Sequence, residues 1–140
     1  MMRGTPVIPG DARATLLASS VPLSFWGGYD ATTGEIIDRR HPLSGECAAG
    51  RALAVPITRG SSTTTAVLLE AVRSGTAPAI ILTIGVDTFL ALASVVADEF
   101  YGKPIPIVAL SADDFSSLTN DMSVAVAADG TVTLKPQGIP

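Results

Sequence analysis

The sequence has 140 residues, of which 47% are hydrophobic and 16% are charged, and its formal net charge at pH 7 is −4. This length suits one domain, residues 1–140, and the high apolar fraction excludes a disordered chain. Few charged side chains are available to cover the surface, so part of it is expected to be buried against a partner. The basic residues form no stripe or tail, which argues against a nucleic-acid partner.

Two further features limit where the chain works and which metals it holds. No apolar run approaches the ~20 residues that span a bilayer, so no membrane partner is expected. The segment Met1–Ala12 lacks the apolar core of a signal peptide, and a cytoplasmic location is expected. One cysteine, Cys47, and one histidine, His41, are too few ligands for an iron–sulfur cluster or a histidine-rich metal site within this chain.

The first predicted elements are a strand and a long loop. The apolar run Arg13–Ser19 is typical of a strand, and Met1–Gly10 before it is expected to fray. The segment Pro22–Glu46 is rich in Gly, Pro, Asp and Thr, and loops of this length are usually functional. We predict that its part from Ser24 to Gly45, anchored by the only tryptophan, Trp26, lines a substrate mouth or a partner interface.

The middle of the chain predicts alternating strands and helices. A strand followed by a helix and a second strand indicates a right-handed parallel crossover. In the second helix, Asp87 is the predicted N-cap and Gly102 the stop, and one face carries Leu90, Ala93, Ala97 and Phe100. The predicted strands are Gly50–Ile57, Pro78–Gly85 and Ile105–Leu110, and the predicted helices are Ala66–Gly75 and Thr88–Gly102.

The last part of the chain predicts a short helix and a hairpin. Ser111–Leu118 suits one or two helical turns. The Asp129-Gly130 pair lies between two runs of alternating polarity, which is a β-hairpin pattern. The final residues, Gln137–Pro140, are expected to fray.

The stretch Arg59–Thr65, RGSSTTT, places five hydroxyl residues directly after a glycine at a strand-to-helix junction. One interpretation is helix capping by Ser61, Ser62 or Thr63. The other is an anion site, because the first N–H groups of a helix lack partners and the helix dipole favours negative charge. The stretch lacks the lysine of a P-loop, and the chain has neither a G-x-G-x-x-G fingerprint after a strand nor a G-x-S-x-G elbow.

Longer motifs carry a family resemblance. In chain order they are S-F-W-G-G from Ser24, D-x-x-T-G-E-I-I-D from Asp30, H-P-L-S-G from His41 and R-G-S-S from Arg59. Together they resemble the small subunit of the aconitase X family over about Val7 to Leu134. The resemblance implies an α/β fold, a swivelling β/β/α domain with a barrel-like sheet, as in the swivel domain of aconitase.

The resemblance also implies an activity and its residues. Members of the family are dehydratases (hydro-lyases) whose large subunit, or fused large domain, carries an iron–sulfur cluster. The base serine of the aconitase swivel domain lies in a G-S-S-R stretch, and the matching positions are Gly60, Ser61, Ser62 and Thr63. Ser61 thereby inherits the base role, with Arg59, Gly60, Ser62 and Thr63 around the substrate. Thr63 replaces the aconitase arginine, so Arg59 or free helix N–H groups are left to stabilise an alkoxide.

Three functions follow as alternatives from this resemblance. The favoured one is the small subunit of a heteromeric iron–sulfur hydro-lyase, active only with its large subunit, that dehydrates the hydroxy acid cis-3-hydroxy-L-proline. The alanine-rich, arginine-preferring composition is typical of bacteria, whose members act on that substrate, whereas archaeal members dehydrate 5-phosphomevalonate. The second alternative is that archaeal substrate. The third is a non-catalytic subunit that binds an anion or only closes the site.

Overall fold

A computed structural model describes residues 1–136, without the side chain of Ser61. The described residues form an α/β arrangement of short strands and three helices. The helices are α1 (Ser61–Ser74), α2 (Thr88–Tyr101) and α3 (Ala112–Ser116). The strands are β1 (Met2–Arg3), β2 (Thr5–Ile8), β3 (Ala12–Ala18), β4 (Leu23–Ser24), β5 (Ala52–Ala54), β6 (Thr58–Arg59), β7 (Ile80–Ile84), β8 (Ile107–Leu110), β9 (Ser123–Val126) and β10 (Thr131–Lys135).

Eight strands form one mixed sheet in the order β1-β10-β9-β3-β5-β7-β8-β2. Its centre, β3, β5, β7 and β8, is parallel, and the other pairings are antiparallel. The two edge strands, β1 and β2, are consecutive in the chain and are separated only by Gly4. Gly4 thus joins the two edges through the chain itself, and its N–H, which donates to the Gly130 carbonyl oxygen at 2.9 Å, continues the pairing of β1 with β10. The sheet is therefore a nearly closed barrel, as predicted.

The central strands β5, β7 and β8 bury both of their faces. Alternate residues of a strand point to opposite sides, and Ala52, Ala54, Ile80 and Leu82 belong to a cluster inside the barrel that α3 completes with Phe115. The residues between them contribute to a second cluster, outside the barrel, under α1 and α2. From the strands this outer cluster takes Leu17, Leu53, Ile81 and Ile107, and from the helices Leu68, Ala71, Leu90, Ala93 and Ala97.

Several predicted elements are confirmed and three details are wrong. The predicted central strands, both long helices and the hairpin at Asp129-Gly130 are present, and α3 falls within Ser111–Leu118. The first long helix begins at Ser61, earlier than the predicted Ala66, because the hydroxyl residues belong to its first turns. Met1–Gly10 does not fray as a whole, because β1 and β2 within it pair with β10 and β8. On α2, Leu90, Ala93 and Ala97 of the predicted face are buried, whereas Phe100, one residue before the end of the helix, is 74% exposed. The segment Gln137–Pro140 lies outside the described residues.

The long loop is anchored by Phe25 and Tyr29, and the expectation that Trp26 anchors it is wrong. The Phe25 carbonyl oxygen accepts the N–H of Tyr29 at 3.1 Å, which closes a turn in which Gly27 has φ 75°. Across this turn Phe25 and Tyr29 stack with ring centroids 4.9 Å apart, while Trp26 is 70% exposed. The Tyr29 hydroxyl donates to the carbonyl oxygen of Thr76 at 2.7 Å, which connects the loop to the segment that follows α1.

Within residues 1–136, no helix combines the length and the apolar character needed to cross a membrane.

Candidate functional site

The RGSSTTT stretch forms a strand, a turn and a helix entrance. Arg59 is the last residue of β6, which pairs in parallel with β4 so that Arg59 lies opposite Ser24. Gly60 is the N-cap of α1 and has φ 106° and ψ 19°, a left-handed conformation that glycine adopts with little strain. Ser61 is the first residue of α1. The glycine therefore turns the chain so that the predicted base begins the helix.

The threonine hydroxyls of this stretch donate hydrogen bonds to backbone carbonyl oxygens in and near the turn. The hydroxyl of Thr63 donates to the Gly60 carbonyl oxygen, and that of buried Thr64 donates to the Arg59 carbonyl oxygen at 3.1 Å. The hydroxyl of Thr65 donates to the Phe89 carbonyl oxygen at 2.9 Å, which links α1 to α2. Helix capping by Ser61, Ser62 or Thr63 is wrong, because the N-cap position belongs to Gly60 and Thr63 bonds a carbonyl oxygen instead of an N–H group.

The entrance of α1 differs from the entrances of the other two helices. The carboxylate of Asp87 accepts the N–H groups of Phe89 and Leu90 at the start of α2, and the Ser111 hydroxyl accepts the N–H of Asp114 in α3. Gly60 offers no side-chain acceptor to the first turn of α1. The Thr63 N–H of that turn donates to the Gly60 carbonyl oxygen at 3.1 Å, and the helix dipole adds a partial positive charge at this entrance, which favours an anion there.

The entrances of α1 and α2 are joined through one carboxylate. Asp87 Oδ2 accepts hydrogen bonds from the backbone N–H of Thr58 at 2.8 Å and from the Thr58 hydroxyl at 2.6 Å. Asp87 Oδ1 accepts the N–H groups of Phe89 and Leu90 at the α2 N-terminus. Sequence reasoning identified Asp87 as a helix cap but missed its bond to Thr58. No sequence signal marks this bond, because it joins residues 29 positions apart.

The predicted site residues fall together on the surface. Arg59, Gly60, Ser62 and Thr63 are all exposed around the start of α1. Exposed apolar side chains lie in the segments that adjoin this entrance: Trp26 follows β4, Ile57 precedes β6 and Val86 precedes Asp87. The predicted site therefore opens to solvent beside apolar surface, a setting that suits a site completed by another chain or domain.

The single histidine and the single cysteine do not join this site. His41 is buried, its Nε2 donates to the Val21 carbonyl oxygen at 3.1 Å, and its Nδ1 accepts the N–H of Leu43 at 3.1 Å. Both ring nitrogens therefore hold the long loop. Cys47 is exposed, and its thiol donates to the Thr33 carbonyl oxygen at 3.4 Å.

The donor set does not fit an iron–sulfur cluster. In the part of the chain that the structure describes, no three His, Cys, Asp or Glu side chains converge into a set that could hold a metal ion. A cluster usually takes several cysteine thiolates, and this chain has one cysteine.

Comparison with known proteins decides the family. Residues 1–134 match the aconitase X swivel domain. The chain belongs to the aconitase X family. This aconitase X swivel domain is also similar to a solved structure, the holo-form of aconitase X from Thermococcus kodakaraensis. The TM-score is 0.84 at 30% sequence identity, covering 94% of this chain and 95% of that one.

Curated relatives of this swivel domain carry two names. The chain is 43% identical to the cis-3-hydroxy-L-proline dehydratase of Hypocrea jecorina over 94% of its own length, and 48% identical to that of Pseudomonas aeruginosa over 74%. It spans only 22% and 18% of those two proteins. It is 36% identical to the phosphomevalonate dehydratase small subunit of Methanothermobacter thermautotrophicus, covering 86% of this chain and 88% of that subunit.

Proposed function

We propose that this chain, as one swivel-type domain over residues 1–140, is the small subunit of a cytoplasmic, heteromeric hydro-lyase that dehydrates a small hydroxy acid. Its partner is a large subunit, without which it is inactive. The names of the relatives support the reaction class, and the word subunit in one of them supports the partner. The iron–sulfur cluster of the proposal belongs to that large subunit, because the donor set described here does not fit one.

The observation that carries the proposal is the left-handed turn at Gly60, which makes Ser61 the first residue of α1. A serine hydroxyl is a weak base unless positive potential stabilises its alkoxide, and a helix N-terminus supplies such potential. Docking of the large subunit over this exposed entrance would exclude water and strengthen that effect. Ser61 is therefore the proposed base, which removes the proton next to the substrate carboxylate.

The neighbours of Ser61 have proposed roles in substrate binding. The guanidinium of exposed Arg59 suits a carboxylate, which it can bind through two parallel hydrogen bonds. Gly60 and Ser62 offer backbone N–H groups beside the base, and the Thr63 hydroxyl holds the Gly60 carbonyl oxygen in the turn. This set would orient an anionic substrate against the helix entrance.

Sequence identity favours cis-3-hydroxy-L-proline as the substrate, since 43% and 48% to the two dehydratases of that name exceed 36% to the phosphomevalonate dehydratase small subunit. One observation favours 5-phosphomevalonate: this chain matches a small subunit of that enzyme over 88% of the subunit's length. A non-catalytic subunit that binds an anion or closes the site is the alternative of another class.

Kinetics of the assembled complex test the base. The chain is co-expressed with the proposed large subunit and assayed with both substrates. We expect Ser61→Ala to lower turnover by ~10²–10⁴-fold, the usual effect of losing a general base, while the complex still assembles. Ser62→Ala is the matched control and should be milder. If only Ser62→Ala loses turnover, the base is Ser62 and the assignment of Ser61 is wrong. If both variants keep full activity, this subunit does not supply the base, and the non-catalytic alternative holds.

A further inference from the structure

Asp87 is a buried carboxylate that serves two elements at once. Its side chain belongs to the N-cap of α2, is 5% exposed, and accepts four hydrogen bonds. Two of them come from Phe89 and Leu90 in α2, as in any capped helix. The other two come from Thr58, through its N–H at 2.8 Å and its hydroxyl at 2.6 Å. Capping alone does not need this second pair.

Thr58 is two residues before the Gly60 turn. Adjacent residues of a strand point to opposite faces, so fixing the Thr58 side chain against Asp87 turns the Arg59 side chain to the exposed side. The Arg59 carbonyl oxygen is in turn held by the Thr64 hydroxyl at 3.1 Å. The chain is thus restrained on both sides of Gly60, by Asp87 before it and by α1 after it.

We propose that Asp87 is a positioning residue for the entrance of α1: by holding Thr58 against the start of α2, its carboxylate sets where Arg59, Gly60 and Ser61 stand relative to the substrate. This inference rests on the proposed function for its effect on turnover. The bonds of Asp87 to Thr58 are independent of that function.

Asp87→Asn separates the two roles of the side chain. The asparagine carbonyl can replace Oδ1 at the α2 N-terminus, where asparagine caps as well as aspartate. Its NH₂ group then faces the Thr58 N–H, a donor facing a donor, so the bond from that N–H is lost, while the Thr58 hydroxyl can turn and accept from the NH₂ group. Thr58→Val removes the other bond, from the hydroxyl, and keeps the backbone N–H, whereas Thr58→Ser keeps both donors.

Asp11→Asn is the matched control. Asp11 also accepts a backbone N–H with its carboxylate, from Ala128 at 3.0 Å. Asp11 precedes β3, whereas Asp87 follows β7, and β3 and β7 run in the same direction through β5. The two carboxylates therefore lie at opposite ends of the parallel strands.

Steady-state kinetics of the assembled complex supply the first measurement. We expect Asp87→Asn to lower kcat by about 10–100-fold, as small misplacements of a reacting group do, with KM changed by less than about threefold. Thr58→Val should lower kcat less and Thr58→Ser should leave it near the wild-type value. The loss in the double variant should be smaller than the product of the two single losses, because both changes act on the contact between the same two residues. Asp11→Asn should match the wild type.

Amide chemical shifts of the isolated chain supply the second measurement. Asp87→Asn and Thr58→Val should both move the Arg59 and Gly60 amide signals, and Asp11→Asn should leave them in place. Wild-type kcat and unmoved Gly60 signals in both folded variants would overturn the proposal. A wild-type complex without dehydratase activity would instead refute the proposed function, and the amide shifts would still decide whether Asp87 positions the turn.

Discussion

At the scale of single residues, Tyr29 shows how one buried polar group fixes a long loop. Its ring stacks on Phe25 and its hydroxyl donates to the Thr76 carbonyl oxygen. Burial, with a smaller contribution from the charge of Cys47, raises the pKa of the Tyr29 phenol well above its ordinary value. The folded chain therefore retains this proton at pH values where the unfolded chain has lost it.

The pKa of Tyr29 predicts how stability depends on alkaline pH. Above about pH 10 the unfolded chain binds fewer protons than the folded chain, so the free energy of unfolding should fall by up to ~1.4 kcal/mol per pH unit from this group. Urea unfolding between pH 8 and pH 11 measures this slope. Tyr29→Phe, which keeps the stacked ring, should flatten it, and an unchanged slope in that variant would rule out Tyr29 as its source.

At the scale of elements, α1 is flanked at both ends by a glycine in the left-handed region, one at the N-cap and one at the C-cap. Gly60 has φ 106° at the start and Gly75 has φ 77° at the end. The two positions carry the same kind of backbone strain for any other residue, yet only Gly60 adjoins the proposed base. Substitutions at the two glycines can therefore distinguish an effect on the stability of α1 from an effect on its proposed function.

Alanine at each end of α1 makes this separation measurable. We expect Gly60→Ala and Gly75→Ala each to cost about 1–2 kcal/mol of unfolding free energy, because both place alanine in a left-handed conformation. Only Gly60→Ala should also lower turnover of the complex, since its new methyl group would lie 3.0 Å from the Thr63 hydroxyl and shift the helix entrance. Equal turnover of the two variants would argue against a role for the Gly60 turn in catalysis.

The elements also show what the sequence could predict. Hydrophobic runs and glycine stops located the central strands and both long helices, because these signals are local. The hydroxyl run RGSSTTT marked the correct junction but suggested capping, since the bonds of Thr64 and Thr65 run to Arg59 and Phe89 and depend on how the chain folds back. The exposure of Trp26 was missed for a similar reason, because a turn at Phe25 selects which aromatic ring faces inward.

At the scale of the whole molecule, the closure of the barrel depends on Gly4. A Cβ atom at Gly4 would lie 2.6 Å from the Ala109 carbonyl oxygen and closer still to the Val108 side chain. The backbone of Gly4 also approaches Gly130, whose own Cβ would meet the Gly4 carbonyl oxygen. Two glycines thus allow the edges of the sheet to come together.

Gly4→Ala should therefore weaken the closure of the barrel. We expect a loss of about 1–3 kcal/mol of unfolding free energy, the usual cost of overpacking, because the Ala109 carbonyl oxygen belongs to the backbone and cannot move aside cheaply. Thr5→Ala, at the adjacent exposed position, should stay within about 0.5 kcal/mol of the wild type. Urea unfolding midpoints compare the two, and equal midpoints would show that the closure tolerates a side chain.

The placement of β1 and β2 also constrains the order in which the chain folds. Met2 pairs with Val132 and Thr5 pairs with Ala109, so β1 and β2 have partners that lie far later in the sequence and are synthesised long after them. Contacts of such long sequence separation are slow to form, because a large loop must close first. The edges of β8 and β10 remain open until then, and open edges can pair with other chains. The folding chain is therefore expected to be most prone to aggregation just before β1 and β2 pair with β10 and β8 and close the barrel.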